Sequence, residues 1–235
     1  MAKKAAGRGG RRRRQSFTAS TSCVPVEALS LSTVMQFGSG EDLVTNGVLK
    51  KGVDAPGILV VMAVTQQLAR VSAEYLAACR TRAEESFDGD HQWDPPTADC
   101  LDLDWVPAML ERACDIAGVG ELHLAALRQA TDGGLAMDVG FLNAHPHAIG
   151  PFGPAPAALE PLAVRRVSGL LKEIDLQAVL AVLPLDIREA GALIGHGAEG
   201  LVDGPRTYLM DHFDALREFY AGARKQGLAV VSWWD

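Results

Sequence analysis

The stretch GPRTYLMDHFDALREFYAGARKQGLAVVSWWD (204–235) decides the fold class. Leu209, Phe213, Leu216, Phe219 and Tyr220 recur at three- and four-residue spacing, with Asp211, Asp214, Arg217, Glu218 and Arg224 opposite them. That is the period of an amphipathic helix, predicted from about Arg206 to Gln226. Gly227 stops it. Leu228 to Trp234 is short and nearly all apolar, which predicts a strand buried on both faces. A long helix feeding such a strand, with shorter helices and strands before it, implies an α+β fold.

Upstream, the run from Ile58 to Leu68 is β-branched and follows Pro56-Gly57, so it reads as a strand. Ser72 is placed to cap a helix carrying Tyr75, Leu76 and Cys79, with Glu74 in its first turn. Residues 86–98 are turn-rich. Leu101-Asp102-Leu103 alternates, and Asp104 reads as the cap of a helix that begins at Trp105 and runs through Ala117. Glu121 to Ala130 completes a helical hairpin that ends at Gly133-Gly134. Residues 138–157 hold four prolines and three glycines and read as a long irregular loop, the kind of segment that often carries function. Pro161 opens the next helix at its first turn, Asp175 caps another, and a shorter piece runs from Asp186 to Ile194.

The chain has 235 residues, enough for one medium domain and a tail. Charge divides it. Residues 1–61 carry nine basic and four acidic side chains, and the remaining 174 carry 13 basic against 25 acidic. Residues 1–57 read as a basic, disordered extension and 58–235 as a single α+β domain. Three readings compete for the arm. Arg11, Arg12, Arg13 and Arg14 could neutralise phosphates, but no aromatic interleaves with them and the acidic body repels nucleic acid. A twin-arginine export start lacks its apolar stretch. Composition favours the third, a start codon placed too far upstream in a G+C-rich gene, with translation beginning at or near Met62. The four cysteines, Cys23, Cys79, Cys100 and Cys114, form no CxxC pair, and a reducing, cytoplasmic setting is expected. No apolar run has the length of a membrane span, so no membrane partner is expected.

The order of the body's motifs resembles the YfbM-like family of bacterial proteins over about residues 62–235. The step Ser72-Ala73-Glu74 before Tyr75-Leu76 matches the family's "Ser/Thr-x-Glu" helix start. Leu101-Asp102-Leu103-Asp104-Trp105 matches its "Leu-Asp-Leu-Asp-Lys-Ala-Trp" step. Gly153-Pro154 and Leu159-Glu160-Pro161 match its turn into a helix, and Tyr208-Leu209 through Phe219-Tyr220 and Leu228 to Trp233 match its close. The family's Trp-His-x-Leu-His segment is missing, since Trp105-Val106-Pro107-Ala108-Met109 has no histidine, and residues 86–98 are longer and more polar. The resemblance implies an α+β fold and no established activity.

Chemistry-bearing residues are few. His145-Pro146-His147 in an extended loop can present two imidazoles to one metal ion, with Asp102, Asp104, His196 or His91 as a third ligand. The simpler reading makes them loop-capping histidines. Asp99, Asp102 and Asp104 resemble a carboxylate cluster from which Asp102 and Asp104 could supply an acid/base pair, but a helix cap at Asp104 and a solvated or arginine-paired Asp102 suffice. Gly195-His196-Gly197 and Gly204-Pro205-Arg206 can form an anion-binding turn, although turn chemistry alone explains them. There is no nucleophile elbow, P-loop or dinucleotide fingerprint.

The reading is therefore a non-catalytic binding or interaction domain with an acidic surface and no cofactor. Asp102, Asp104, Trp105, His145, His147, Phe152 and His196 are its candidate contact residues, and an unidentified protein or small molecule is the partner. A metal-assisted hydrolase using His145, His147 and Asp102 is the alternative, and nucleic-acid contact through the arm a further one. A chain beginning at Gly57 should unfold within about 0.5 kcal/mol of the full chain in a chemical melt. Loss of cooperative unfolding would mean that 1–56 contributes a structural element.

Overall fold

The computed structural model describes residues 64–134 and 136–235. The basic arm, the expected boundary after residue 57 and the first part of the expected strand, 58–63, lie outside the described residues. Four strands, β1 (Gln66–Val71), β2 (Cys100–Asp104), β3 (Ala157–Leu159) and β4 (Ala229–Trp234), form an antiparallel sheet in the order β2-β1-β4-β3. Among the described residues there are seven helices: α1 (Ala73–Glu85), α2 (Val106–Ile116), α3 (Glu121–Asp132), α4 (Pro161–Glu173), α5 (Leu176–Ala181), α6 (Ile187–Ile194) and α7 (Gly204–Gln226). The α+β class expected from the sequence is observed.

β4 is an inner strand, which explains its unbroken apolar run. It pairs with β1 from Gln66↔Trp234 to Val71↔Ala229 and with β3 on its other side. Alternate residues serve two cores. Val230 joins Leu68, Leu103 and Leu159 under α2, α3, α4 and α7. Ala229, Val231 and Trp233 join Ala69, Val71 and Ala158 under Leu76 of α1 and Val139 and Leu142 of the long loop. The helix-to-strand turn is tight. Gly227 sits at φ +68°, and the Leu228 N–H reaches back to the Ala223 carbonyl at 2.9 Å, the bond that closes a glycine-terminated helix. Tyr220 is fully enclosed, and its hydroxyl donates to the Ala130 carbonyl at 2.7 Å.

Three expectations need correction. The first strand is displaced: it begins at Gln66 and runs to Val71, beyond the apolar run that signalled it. Polar residues fit there because the tertiary structure supplies partners. Gln66 donates to the Thr131 carbonyl of α3 at 2.5 Å, Gln67 to Thr65, and Arg70 pairs with Asp99 at 2.8 Å. Asp104 does not cap α2. It closes β2 at φ +51°, and Trp105 occupies the cap position without a side-chain cap bond. Finally, the segment 138–157 contains a short 3₁₀ turn, Gly140–Asn143, and its last residue begins β3. A three-residue edge strand behind Pro154 and Pro156 leaves almost no pattern to read.

Other local expectations hold. Ser72 accepts from the Tyr75 N–H and Asp175 from Ala178, and the structure adds a cap at Asp186, which accepts from Arg188 and Glu189. Gly133, at φ +76°, ends α3 where a Cβ would lie 2.8 Å from Ser232 Oγ and 2.9 Å from the Ala157 Cβ, so only glycine lets α3 end against the sheet.

Phe213 of α7 is fully buried in the larger core. Phe213→Ala should cost about 3–5 kcal/mol, read as a lowered midpoint in urea. A loss below about 1 kcal/mol would contradict this packing.

Candidate functional site

The sequence-derived residues separate into a corner of the sheet, a two-loop face and a remote turn. The corner forms because β2 carries one extra residue opposite β1: Gln67 faces Asp102 while Gln66 faces Asp104. This bulge, with Asp104 in the left-handed region, re-aims the Asp104 side chain. Its carboxylate accepts from the Tyr208 hydroxyl of α7 at 2.8 Å, and its own N–H is held by the Asp102 carboxylate at 2.8 Å. Burial first, then the hydrogen bond to Asp104 and its charge, push the Tyr208 pKa well up, so the phenol stays protonated as a donor. His212 donates Nδ1–H to the Tyr208 carbonyl, and its ring lies 4.4 Å from that of Tyr208. Trp105 is half exposed, and its indole N–H donates to the Val64 carbonyl at 2.9 Å. The two carboxylates therefore hold backbone and phenol and do not stand as a free acid/base pair. The arginine expected beside Asp102 pairs with Asp99.

The second group forms where residues 86–98 meet residues 138–153. His91 is buried, and both its nitrogens are used: Nδ1 accepts from the Trp93 N–H at 3.1 Å, which leaves Nε2–H to donate to the His147 carbonyl at 2.7 Å. That fixes a neutral tautomer. His147 places Nε2 3.0 Å from an Asp88 carboxylate oxygen. Asp88 also accepts from Ser86 at 2.6 Å, and these contacts lower its pKa to about 2. His147 is correspondingly raised, chiefly by the bond to Asp88. Arg80 of α1 clamps the other loop through Asp138 at 2.9 Å and lies over the Phe141 ring at 4.9 Å. Tyr75, Trp93 and Trp233 stack edge to face beneath, with ring centres 5.6 and 5.9 Å apart. Trp234 packs so closely on Gly153 that a Cβ there would lie 2.6 Å from the tryptophan's own Cβ, and it also crowds Gly150.

His145 is exposed beside this cluster, and Phe152 is 39% exposed. His196 is exposed at φ +55° in the turn after α6, remote in sequence from both groups. Asp102 stays on β2 while His147 is bound to Asp88, and among the described residues no group of three or more His, Cys, Asp or Glu is arranged to hold a metal ion. The described cysteines are not activated: burial pushes the Cys114 thiol up to about 11 and raises Cys79 and Cys100 as well. No described helix is long and apolar enough to cross a membrane.

Sequence reasoning missed Asp88, Arg80, Trp93 and Tyr208. The clustered turn formers of 86–98 were the only local signal for Asp88 and Trp93, and Arg80 and Tyr208 read as ordinary helix residues. Each has a partner about 60 or more residues away, Trp93 through Trp233. No family model matches the chain, and no curated protein or solved structure matches it.

The His147–Asp88 pair has a defined pH window. A histidine whose folded pKa lies above its ordinary value near 6.5 stabilises fully below that value and loses the contribution as pH rises through the folded pKa. Asp88 sets the lower limit, near pH 2. In an NMR titration His147 should titrate above about 6.5 and return to that value in Asp88→Asn. Identical curves would show that the pair is not formed in solution.

Proposed function

We propose that this protein is a non-catalytic interaction module that presents the two-loop face to a basic protein partner. One observation carries the reading: Phe87 is 108% exposed at the tip of the first loop, a position where an aromatic ring has no folding role. Phe152 adds a second partly exposed ring on the facing loop. The end of α1 and the two loops also carry exposed carboxylates, Glu84, Glu85, Asp88, Asp94 and Asp138. The nearby arginines are Arg80, which is already paired with Asp138, and Arg82. Aromatic anchors accompanied by one sign of charge suit a partner with an apolar pocket and a basic rim. The ties between the loops, His91 to His147 and His147 to Asp88, hold the face ready and limit the ordering cost of binding. Asp102, Asp104, His91, His147 and Asp88 are all engaged in hydrogen bonds that hold backbone or loops in place, which supports binding over turnover. The motif order supports a YfbM-like affiliation for residues 62–235, which adds no activity to the reading.

The test is affinity capture from the source cells with the full chain and with Phe87→Ser and Phe87→Ser/Phe152→Ser. A basic protein retained by the parent and lost from the variants is the expected result, with unfolding midpoints within about 0.5 kcal/mol. Capture indifferent to both rings would remove the two-loop face from the interaction.

A further inference from the structure

A second surface lies between α4 and α7, apart from the residues of the two-loop face. Ser168 and Lys172, one helical turn apart on α4, face Arg217, Glu218, Arg224 and Lys225 of α7 across a groove of about 440 Å³. Spacings of four, seven and eight residues put Ser168 with Lys172, and Arg217 with Arg224 and Lys225, on single helical stripes. Ala221, the other lining residue, lies on the second stripe, and its short side chain leaves the groove open.

The charge is unusual for this body. Residues 62–235 hold 13 basic against 25 acidic groups, yet four cations line this groove against one carboxylate, Glu218. Lys172, Arg224 and Lys225 have no ion-pair partner among the described residues, and Arg217 is steadied by Asp214 at 3.3 Å and by the Phe213 ring. Basic residues near a helix C-terminus complement its dipole, which accounts for Lys172, Arg224 and Lys225 singly but not for their convergence with Arg217.

Ser168 supplies an independent observation. It is 8% exposed, and its hydroxyl makes no hydrogen bond among the described residues. The oxygen is not sealed in the core either, since only Gln66 Oε1 is both enclosed and unpartnered there. A helical serine ordinarily satisfies its hydroxyl on the preceding turn. Here it is a free donor at the floor of a cationic groove.

We infer that the α4–α7 groove binds a small phosphorylated molecule, with Arg217, Arg224, Lys172 and Lys225 meeting phosphoryl oxygens and Ser168 donating its hydroxyl. Lys172, Arg224 and Lys225, without ion-pair partners among the described residues, exceed what Glu218 can neutralise, and guanidinium forks match phosphoryl geometry. The volume is that of a small-ligand site. A nucleic-acid polymer is disfavoured because its flanking phosphates would meet the acidic body, Asp214 and Glu173 first.

Calorimetric titration of the full chain with inorganic pyrophosphate at low salt tests this, independently of the loop-face reading. One saturable site is expected. Lys172→Gln and Arg224→Gln should each weaken it about tenfold, as for the loss of a charged hydrogen bond, and Ser168→Ala should weaken it less. All three should melt with the parent. Arg188→Gln, a cation on α6 outside the groove, should bind as the parent does, as should Phe87→Ser. Three results would each overturn the proposal: no saturable binding, binding indifferent to the groove substitutions and hence due to the N-terminal arginines, or a short duplex DNA held more tightly than pyrophosphate and released by those substitutions.

Discussion

β4 is the constraint on which the rest depends. An inner strand flanked by β1 and β3 must be apolar on both faces and must find covering layers on both. Val230 requires the helical layer of α2, α3, α4 and α7, and Val231 and Trp233 require α1 and the long loop. The C-terminal position of β4 ties the chain's end to its middle: Asp235 and Thr65 exchange backbone hydrogen bonds of 2.8 and 3.0 Å. α7 reaches this strand through a glycine-closed turn with no intervening loop, so the longest helix and the central strand are placed together.

The same strand order dictates where polar side chains concentrate. β2 is an edge, so it can tolerate a bulge, and the bulge turns Asp104 towards Tyr208. β1 is internal yet carries Gln66, Gln67 and Arg70. Each makes a specific contact, but Gln66 Oε1 has no partner among the described residues. On the far face the loops substitute for a second helical layer. Their histidines act as fasteners: His91 is neutral and doubly bonded, and His147 is paired with a carboxylate. Such bonds explain why a histidine-rich loop need not be a metal centre.

Charge is also sorted by this architecture. The acids around the two-loop face sit at the end of α1 and on the tips of loops, where solvent screens them. The free cations gather where α4 and α7 lie side by side. A chain that is acidic on average thereby presents two surfaces of opposite sign, each suited to a different kind of ligand.

Elements whose signal is local were legible in the residues. The stripe from Leu209 to Tyr220, the apolar run into Trp233, the caps at Ser72 and Asp175, and the glycine stops after α3 and α7 all act within a few positions, so the sequence by itself determined them and with them the α+β class. Contacts between distant segments were not legible. Asp104 looked like a cap because a cap and a bulge both place an aspartate before a helix, and only the register against β1 distinguishes them. The strand was expected to end at Leu68 because Arg70, the residue that extends it to Val71, is polar, and its partner Asp99 becomes visible only once the segment before β2 is packed beside it. His147 with Asp88, Arg80 with Asp138, and Ser168 facing Arg224 all join residues more than 50 positions apart. Tertiary structure alone decided these, because pairing energy at such separations depends on which faces the core has already brought together and not on any pattern along the chain.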